Sequence, residues 1–161
     1  MRDSILSLAA QLGEQLVARD WHVSTAESCT GGGIAYAITS TAGSSGWFNE
    51  GFVTYSNDAK MALLGVPQKT LEEHGAVSRQ TVEKMVQGLA QRTGAQANVV
   101  VSGIAGPDGG SETKPVGTVW FGFLVDGVVR TEERRFFGDR AQVRDSAIEY
   151  SLQKLLQLIT D

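Results

Sequence analysis

Three short segments carry the residue types that could do chemistry. The first is Glu27-Ser28-Cys29-Thr30-Gly31-Gly32-Gly33. It lies between an alternating stretch and an apolar one, so it reads as a strand-to-helix turn. At such a turn the first N–H groups of the helix are unpaired and the dipole favours negative charge. A phosphate could sit there, or a developing oxyanion could be stabilised. The glycines permit close approach. Ser28 is placed to act as a nucleophile, and Cys29, Thr30, Gly31 and Gly32 are the candidate anion-binding positions. Cys29 competes as nucleophile, because a thiol at a helix N-terminus can have a lowered pKa. It can equally be a small buried residue. A plain capping turn, with Ser28 or Thr30 as N-cap, is the simplest alternative. No Gly-Lys-Ser/Thr follows at P-loop spacing, and no Gly-x-Ser-x-Gly elbow is present.

A serine needs a base. The chain has two histidines, His22 and His74. Neither adjoins a partner motif, so a histidine-dependent triad is not expected. A lysine whose pKa is lowered by desolvation is the other option. The second segment, Thr54-Tyr55-Ser56-Asn57-Asp58-Ala59-Lys60, supplies one. Lys60 stands about one helical turn past a strand end, where α/β proteins place active sites. A solvated surface lysine is the ordinary alternative. Tyr55 could stack on an aromatic ring or orient a proton, or simply fill a half-buried core position. Asn57 and Glu27 are expected to contact a substrate.

The third segment runs from Ser102 through Gly103-Ile104-Ala105-Gly106-Pro107-Asp108-Gly109-Gly110 to Gly117. So long a loop in so small a chain is usually functional. Backbone groups at Gly103, Gly106, Gly109 and Gly110, with Ser111, Thr113 and Lys114, could bind a phosphate or a ribose. A surface turn is the alternative. Arg140 follows soon after and has the planar fork that suits phosphate or carboxylate. Arg134, Arg135 and Arg144 are alternatives to it, and Asp139 reads as a helix cap.

Periodicity indicates the elements that must hold these segments. Ile5, Leu8, Leu12 and Leu16 mark a helix over 4–19, with Ser4 as a possible cap. A strand follows over His22–Ala26, then a helix around Ile34–Ile38 and a loop over Thr39–Gly46. Gly51–Tyr55 reads as a strand, and Ser56 or Asn57 caps a short helix carrying Lys60. Ser78 caps a helix containing Val82, Met85 and Leu89. Asn98–Ser102 reads as a strand buried on both faces. Thr118–Val125 and Val128–Phe136 form a hairpin around Asp126-Gly127. A final helix spans about 139–159. Early strands alternate with helices and the late ones do not. The expected fold is therefore α/β, a three-layer α/β/α arrangement with a mixed, partly parallel sheet.

Composition bounds the remaining choices. A length of 161 residues suits one domain, residues 1–161. Hydrophobic residues at 42% and charged residues at 20% are globular values. Fourteen basic against eighteen acidic residues, a net charge of −4, argue against nucleic acid and anionic membrane as general partners. One cysteine excludes an internal disulfide and a cysteine-ligated zinc, so no metal is expected. No signal-peptide core or membrane-length apolar run is seen, and the expected location is cytoplasmic.

Thr25 to Gly32, Gly51 to Lys60, His74 to Ser78 and Ser102 to Trp120 stand together in one order and spacing. In this the chain resembles the C-terminal domain of the competence/damage-inducible CinA proteins, including the family's stand-alone amidases, over nearly its whole length. The resemblance implies hydrolysis of the carboxamide of nicotinamide mononucleotide (NMN) in pyridine-nucleotide salvage, with no cofactor. It implies Ser28 as nucleophile, Lys60 as its basic partner, Tyr55 and Arg140 at the site, and a homodimer. Asp58 stands where glutamate is usual, and Phe137 where a small residue is common. The rival readings are a non-catalytic nucleotide-binding module linked to competence or DNA damage, and an amidase for a different amide.

Overall fold

The computed structural model describes all 161 residues. One sheet of five strands has the order β2-β1-β3-β4-β5. The strands are β1 (Val23–Glu27), β2 (Phe48–Val53), β3 (Ala97–Gly103), β4 (Thr118–Val125) and β5 (Val128–Arg135). β1 pairs in parallel with β2 and β3, and β4 and β5 continue the sheet antiparallel. Helices α1 (Asp3–Arg19), α2 (Gly33–Thr39) and α6 (Arg140–Thr160) cover one face. Helices α3 (Asn57–Leu64), α4 (Gln68–His74) and α5 (Arg79–Thr93) cover the other. This is the three-layer, partly parallel arrangement expected from the alternation of elements.

The pleat sorts the side chains. Val99 and Val101 join Leu12, Ile34 and Leu152 in one core, while Val100 joins Val82, Met85 and Leu89 in the other. β3 is buried from Ala97 to Ser102, which is why its valines run consecutively instead of alternating. Asp126 (φ 49) and Gly127 (φ 81) both take positive φ, as a type I′ hairpin turn requires.

Several boundaries differ from expectation. α1 starts at Asp3, so Ser4 lies inside it; the Ser4 hydroxyl donates to Glu149 instead of capping the helix. β2 runs from Phe48 to Val53, not from Gly51 to Tyr55. It is an edge strand paired only with β1, so its polar start, Asn49-Glu50, carries no inward apolar pattern. α4 was not expected: it buries only Leu71 and has no side-chain cap at its start. A short 3-10 turn, Ser44–Gly46, interrupts the expected loop.

This topology creates the site. After β1 the chain turns to α2 on one face, and after β2 it turns to α3 on the other. A crevice opens at the carboxyl ends of strands whose connections diverge in this way. Ser28 is the residue after β1, and Thr54 and Tyr55 follow β2.

Candidate active site

Two elements bring Ser28 and Lys60 together. The Ser28 N–H donates to the Val101 carbonyl of β3 at 3.1 Å, which pins the residue beside the central strand. Ser56 is the cap of α3, its Oγ accepting the Ala59 N–H at 3.0 Å, and Asn57 begins the first turn. Lys60 projects from that helix into the protein and is only 1% exposed. Its Nζ lies 3.1 Å from Ser28 Oγ, 2.7 Å from the Thr54 carbonyl and 3.2 Å from the Tyr55 carbonyl. As an ammonium, Nζ donates to all three oxygens, and Ser28 Oγ in turn lies 3.5 Å from the Tyr55 carbonyl. Once neutral, the amine keeps two N–H groups, which the two carbonyls can accept, and one lone pair that can accept from the Ser28 hydroxyl. Burial disfavours the charged form and pushes the Lys60 pKa down from its ordinary 10.5 to about 8, against a smaller opposing effect of Cys29.

The turn after β1 is held from both sides. Gly31, at φ 59, donates its N–H to the Ser28 carbonyl at 3.0 Å, and Gly33 donates to Thr30 at 3.0 Å. Glu27 is fully buried. Its carboxylate accepts the Thr30 hydroxyl at 2.6 Å and the N–H groups of Ile34 and Ala35 at 2.8 and 3.1 Å. Burial raises the Glu27 pKa; these hydrogen bonds, with one from the Gly32 N–H, oppose the rise. Arg144 of α6 donates from Nε to the Cys29 carbonyl at 3.1 Å and from Nη2 to the Thr30 carbonyl at 3.5 Å.

These contacts correct two expectations. Glu27 does not face a substrate; it caps α2 from inside the protein. The N–H of Gly31 is not free to hold an oxyanion, because the Ser28 carbonyl already takes it. The N–H groups of Cys29 and Thr30 donate to no protein oxygen and so remain available in the turn. The Cys29 thiol is nearly buried, and desolvation, reinforced by the Glu27 charge, pushes its pKa up to about 11. A thiol in that state is a poor nucleophile near neutral pH.

A cavity of about 280 Å³ opens above Ser28 and Lys60. Cys29, Tyr55, Gly103, Gly106, Gly109 and Arg140 line it with them. Arg140 donates from Nη1 to the Gly106 carbonyl at 2.8 Å, and its Nη2 lies 3.5 Å from the Tyr55 hydroxyl. The rim therefore joins β2's end, the glycine loop and α6. Of the expected site residues, Thr30, Gly31, Gly32, Asn57, Gly110, Ser111 and Thr113 do not line this cavity. Thr113 and Lys114 face a neighbouring groove beside Trp120, and Lys114 Nζ donates to the His74 carbonyl at 2.7 Å. Lys114 ties the loop to α4. Ser102, Ile104, Ala105 and Asp108 of the third segment also line the cavity, though they were not singled out as contacts. Ala76 and Val77, from the His74–Ser78 motif, line it too, because the fold brings the α4–α5 connection to the crevice. No cluster of three or more His, Cys, Asp or Glu forms a metal-type site, and no helix is long and apolar enough to cross a membrane.

Known proteins resemble this chain over nearly its whole length. The family model described as the CinA C-terminal domain matches residues 5–159. The nicotinamide-nucleotide amidohydrolase PncC of Enterobacter agglomerans is 58% identical over 151 residues, which are 93% of this chain and 92% of that protein. The protein of the same name from Escherichia coli K12 is 53% identical over 161 residues, covering 98% and 96% of the two chains. Among solved structures, the competence/damage inducible protein CihA of Agrobacterium tumefaciens matches with a TM-score of 0.95 at 44% identity, covering 98% of this chain and 97% of that one.

Proposed function

Because the chain belongs to the CinA C-terminal domain family, we propose that it is an amidohydrolase converting NMN to nicotinate mononucleotide and ammonia through a Ser28–Lys60 acyl-enzyme. The observation that carries the reading is the buried Lys60 amine, 3.1 Å from Ser28 Oγ with its other partners both carbonyls. An amide is a poor acyl donor, and a covalent intermediate divides its hydrolysis into two easier steps.

In the first step the neutral Lys60 amine takes the Ser28 proton as Oγ attacks the carboxamide carbon. The carbonyl oxygen becomes an oxyanion beside the free N–H groups of Cys29 and Thr30, which stabilise it. As the intermediate collapses, the C–N bond breaks and the leaving nitrogen takes the proton from Lys60, departing as ammonia. Water then attacks the ester, again giving its proton to Lys60. The ester bond breaks, the Ser28 oxygen recovers a proton, and the carboxylate leaves. Arg140, with Tyr55 and the Gly103–Gly109 loop, would hold the ribose phosphate. The reaction belongs to a cytoplasmic salvage of pyridine nucleotides.

The test is ammonia release from NMN by the purified protein. Ser28→Ala should lose at least 10³-fold in kcat, the order seen when an activated serine is removed, and keep its thermal unfolding. Cys29→Ala should stay active. Loss in Cys29→Ala with activity kept in Ser28→Ala would move the chemistry to the thiol. Nicotinamide and nicotinamide riboside, run alongside, should turn over far more slowly, since neither offers Arg140 a phosphate.

A further inference from the structure

We infer that Arg144 is a positioning residue for the oxyanion pocket, a role that rests on the amidase reading above. Its guanidinium had a plausible use as a phosphate clamp, but it is spent on backbone carbonyls. Three carbonyls lie in the turn that follows Ser28. That of Ser28 accepts the Gly31 N–H, and that of Thr30 accepts the Gly33 N–H. The Cys29 carbonyl accepts from Arg144 Nε alone, at 3.1 Å.

The direction of one donor follows from that contact. In a planar trans peptide the C=O and the N–H point opposite ways. Holding the Cys29 carbonyl toward α6 therefore turns the Thr30 N–H away from α6. The Ser28 N–H is already taken by Val101, so Cys29 and Thr30 are the donors left beside the nucleophile. The N–H that follows a nucleophilic serine is the usual oxyanion donor, and a second donor must be aimed with it. Within the Ser28–Gly31 turn, the Cys29 carbonyl is the one whose sole partner is a side chain from another element; the Thr30 carbonyl, which Arg144 Nη2 also approaches, has the Gly33 N–H as well.

The surroundings suit this use. Arg140 and Arg144 are four residues apart on α6, so one helix face serves both the cavity rim and the turn. A Cβ at Gly31 would come within 3.0 Å of Arg144 Nη2, so the glycine leaves room for the guanidinium. Arginine keeps its charge at all relevant pH and presents donors in a fixed fork, which a flexible ammonium does not. Arg144, like Thr30, is not among the residues that line the cavity, whereas Ser28 and Cys29 are, so Arg144 acts on the turn's backbone and not on the nucleotide.

The experiment compares wild type, Arg144→Gln and Arg144→Lys for kcat and KM of ammonia release from NMN across pH, with thermal unfolding of each. The expected result for Arg144→Gln is a kcat lower by about a hundredfold, the usual cost of one oxyanion donor, with KM within about twofold. The acid limb of the pH profile should stay where Lys60 sets it, and Arg144→Lys should recover part of kcat. Should Arg144→Gln fail to fold, Arg144→Lys is read by the same split. An unchanged kcat, a rise in KM alone, or a shifted acid limb overturns the inference while leaving the amidase reading intact. Wild-type protein that releases no ammonia from NMN overturns both.

Discussion

At the scale of single residues, the proposed chemistry turns on the protonation of Lys60. In that reading its amine serves Ser28 only when neutral, and burial lowers its pKa to about 8. The fraction of neutral amine therefore climbs as pH rises toward that value. We predict that kcat/KM for NMN rises with pH and levels off above about 8. A profile flat from pH 6 to 9, taken as a range on the order of three units around that value, would remove Lys60 as the base. Ser28 and Lys60, which the fold brings within 3.1 Å, were legible as candidates in the sequence, because a serine at a strand-to-helix turn and a lysine after a strand end are local patterns. Glu27 was not. A carboxylate beside a nucleophile looks like a substrate contact until the fold shows it buried, with α2's N–H groups on it. Arg144 was legible only as a cation, since its partners are carbonyls 114 and 115 positions away.

At the scale of elements, Lys60 is only as well placed as α3, and α3 depends on α5. A Cβ on Gly88 of α5 would lie 1.8 Å from the Leu64 carbonyl oxygen at the end of α3. Backbone cannot yield there as a side-chain tip could. Gly88→Ala gains helix propensity but must push α3 outward. We predict a net loss of about 1–3 kcal/mol in stability, seen in denaturant unfolding, together with a fall in kcat as Lys60 moves. A variant as stable and active as wild type would show that α3 does not depend on this contact. The sequence had announced such elements unevenly. Ser56, Ser78 and Asp139 were readable as caps because a capping side chain bonds within its own turn, and all three do so. α4 and the first half of β2 were not readable. Their residues satisfy contacts made elsewhere in the fold and bury little of their own.

At the scale of the whole molecule, the same lysine links the active site to folding. The unfolded chain holds the Lys60 proton up to its ordinary 10.5, whereas the folded chain releases it near 8. Between those values the unfolded state binds more protons, so this group makes stability rise as pH rises through the window. Replacing Lys60 with methionine should remove that contribution along with activity. The measurement is the difference in Tm between wild type and Lys60→Met from pH 7 to 10, spanning on the order of the window's width. A difference that does not change with pH would mean the amine is not buried as a charge. The layered fold itself was legible, because the buried β3, the hairpin turn and the helix periods are sequence-local and agree with one another. What could not be read was which loops meet at the crevice, since that depends on strand order. One packing detail at that crevice limits what can bind there. Glu27 occupies the N-terminal end of α2 with the chain's own carboxylate, so an anion entering the cavity meets no vacant end on that helix.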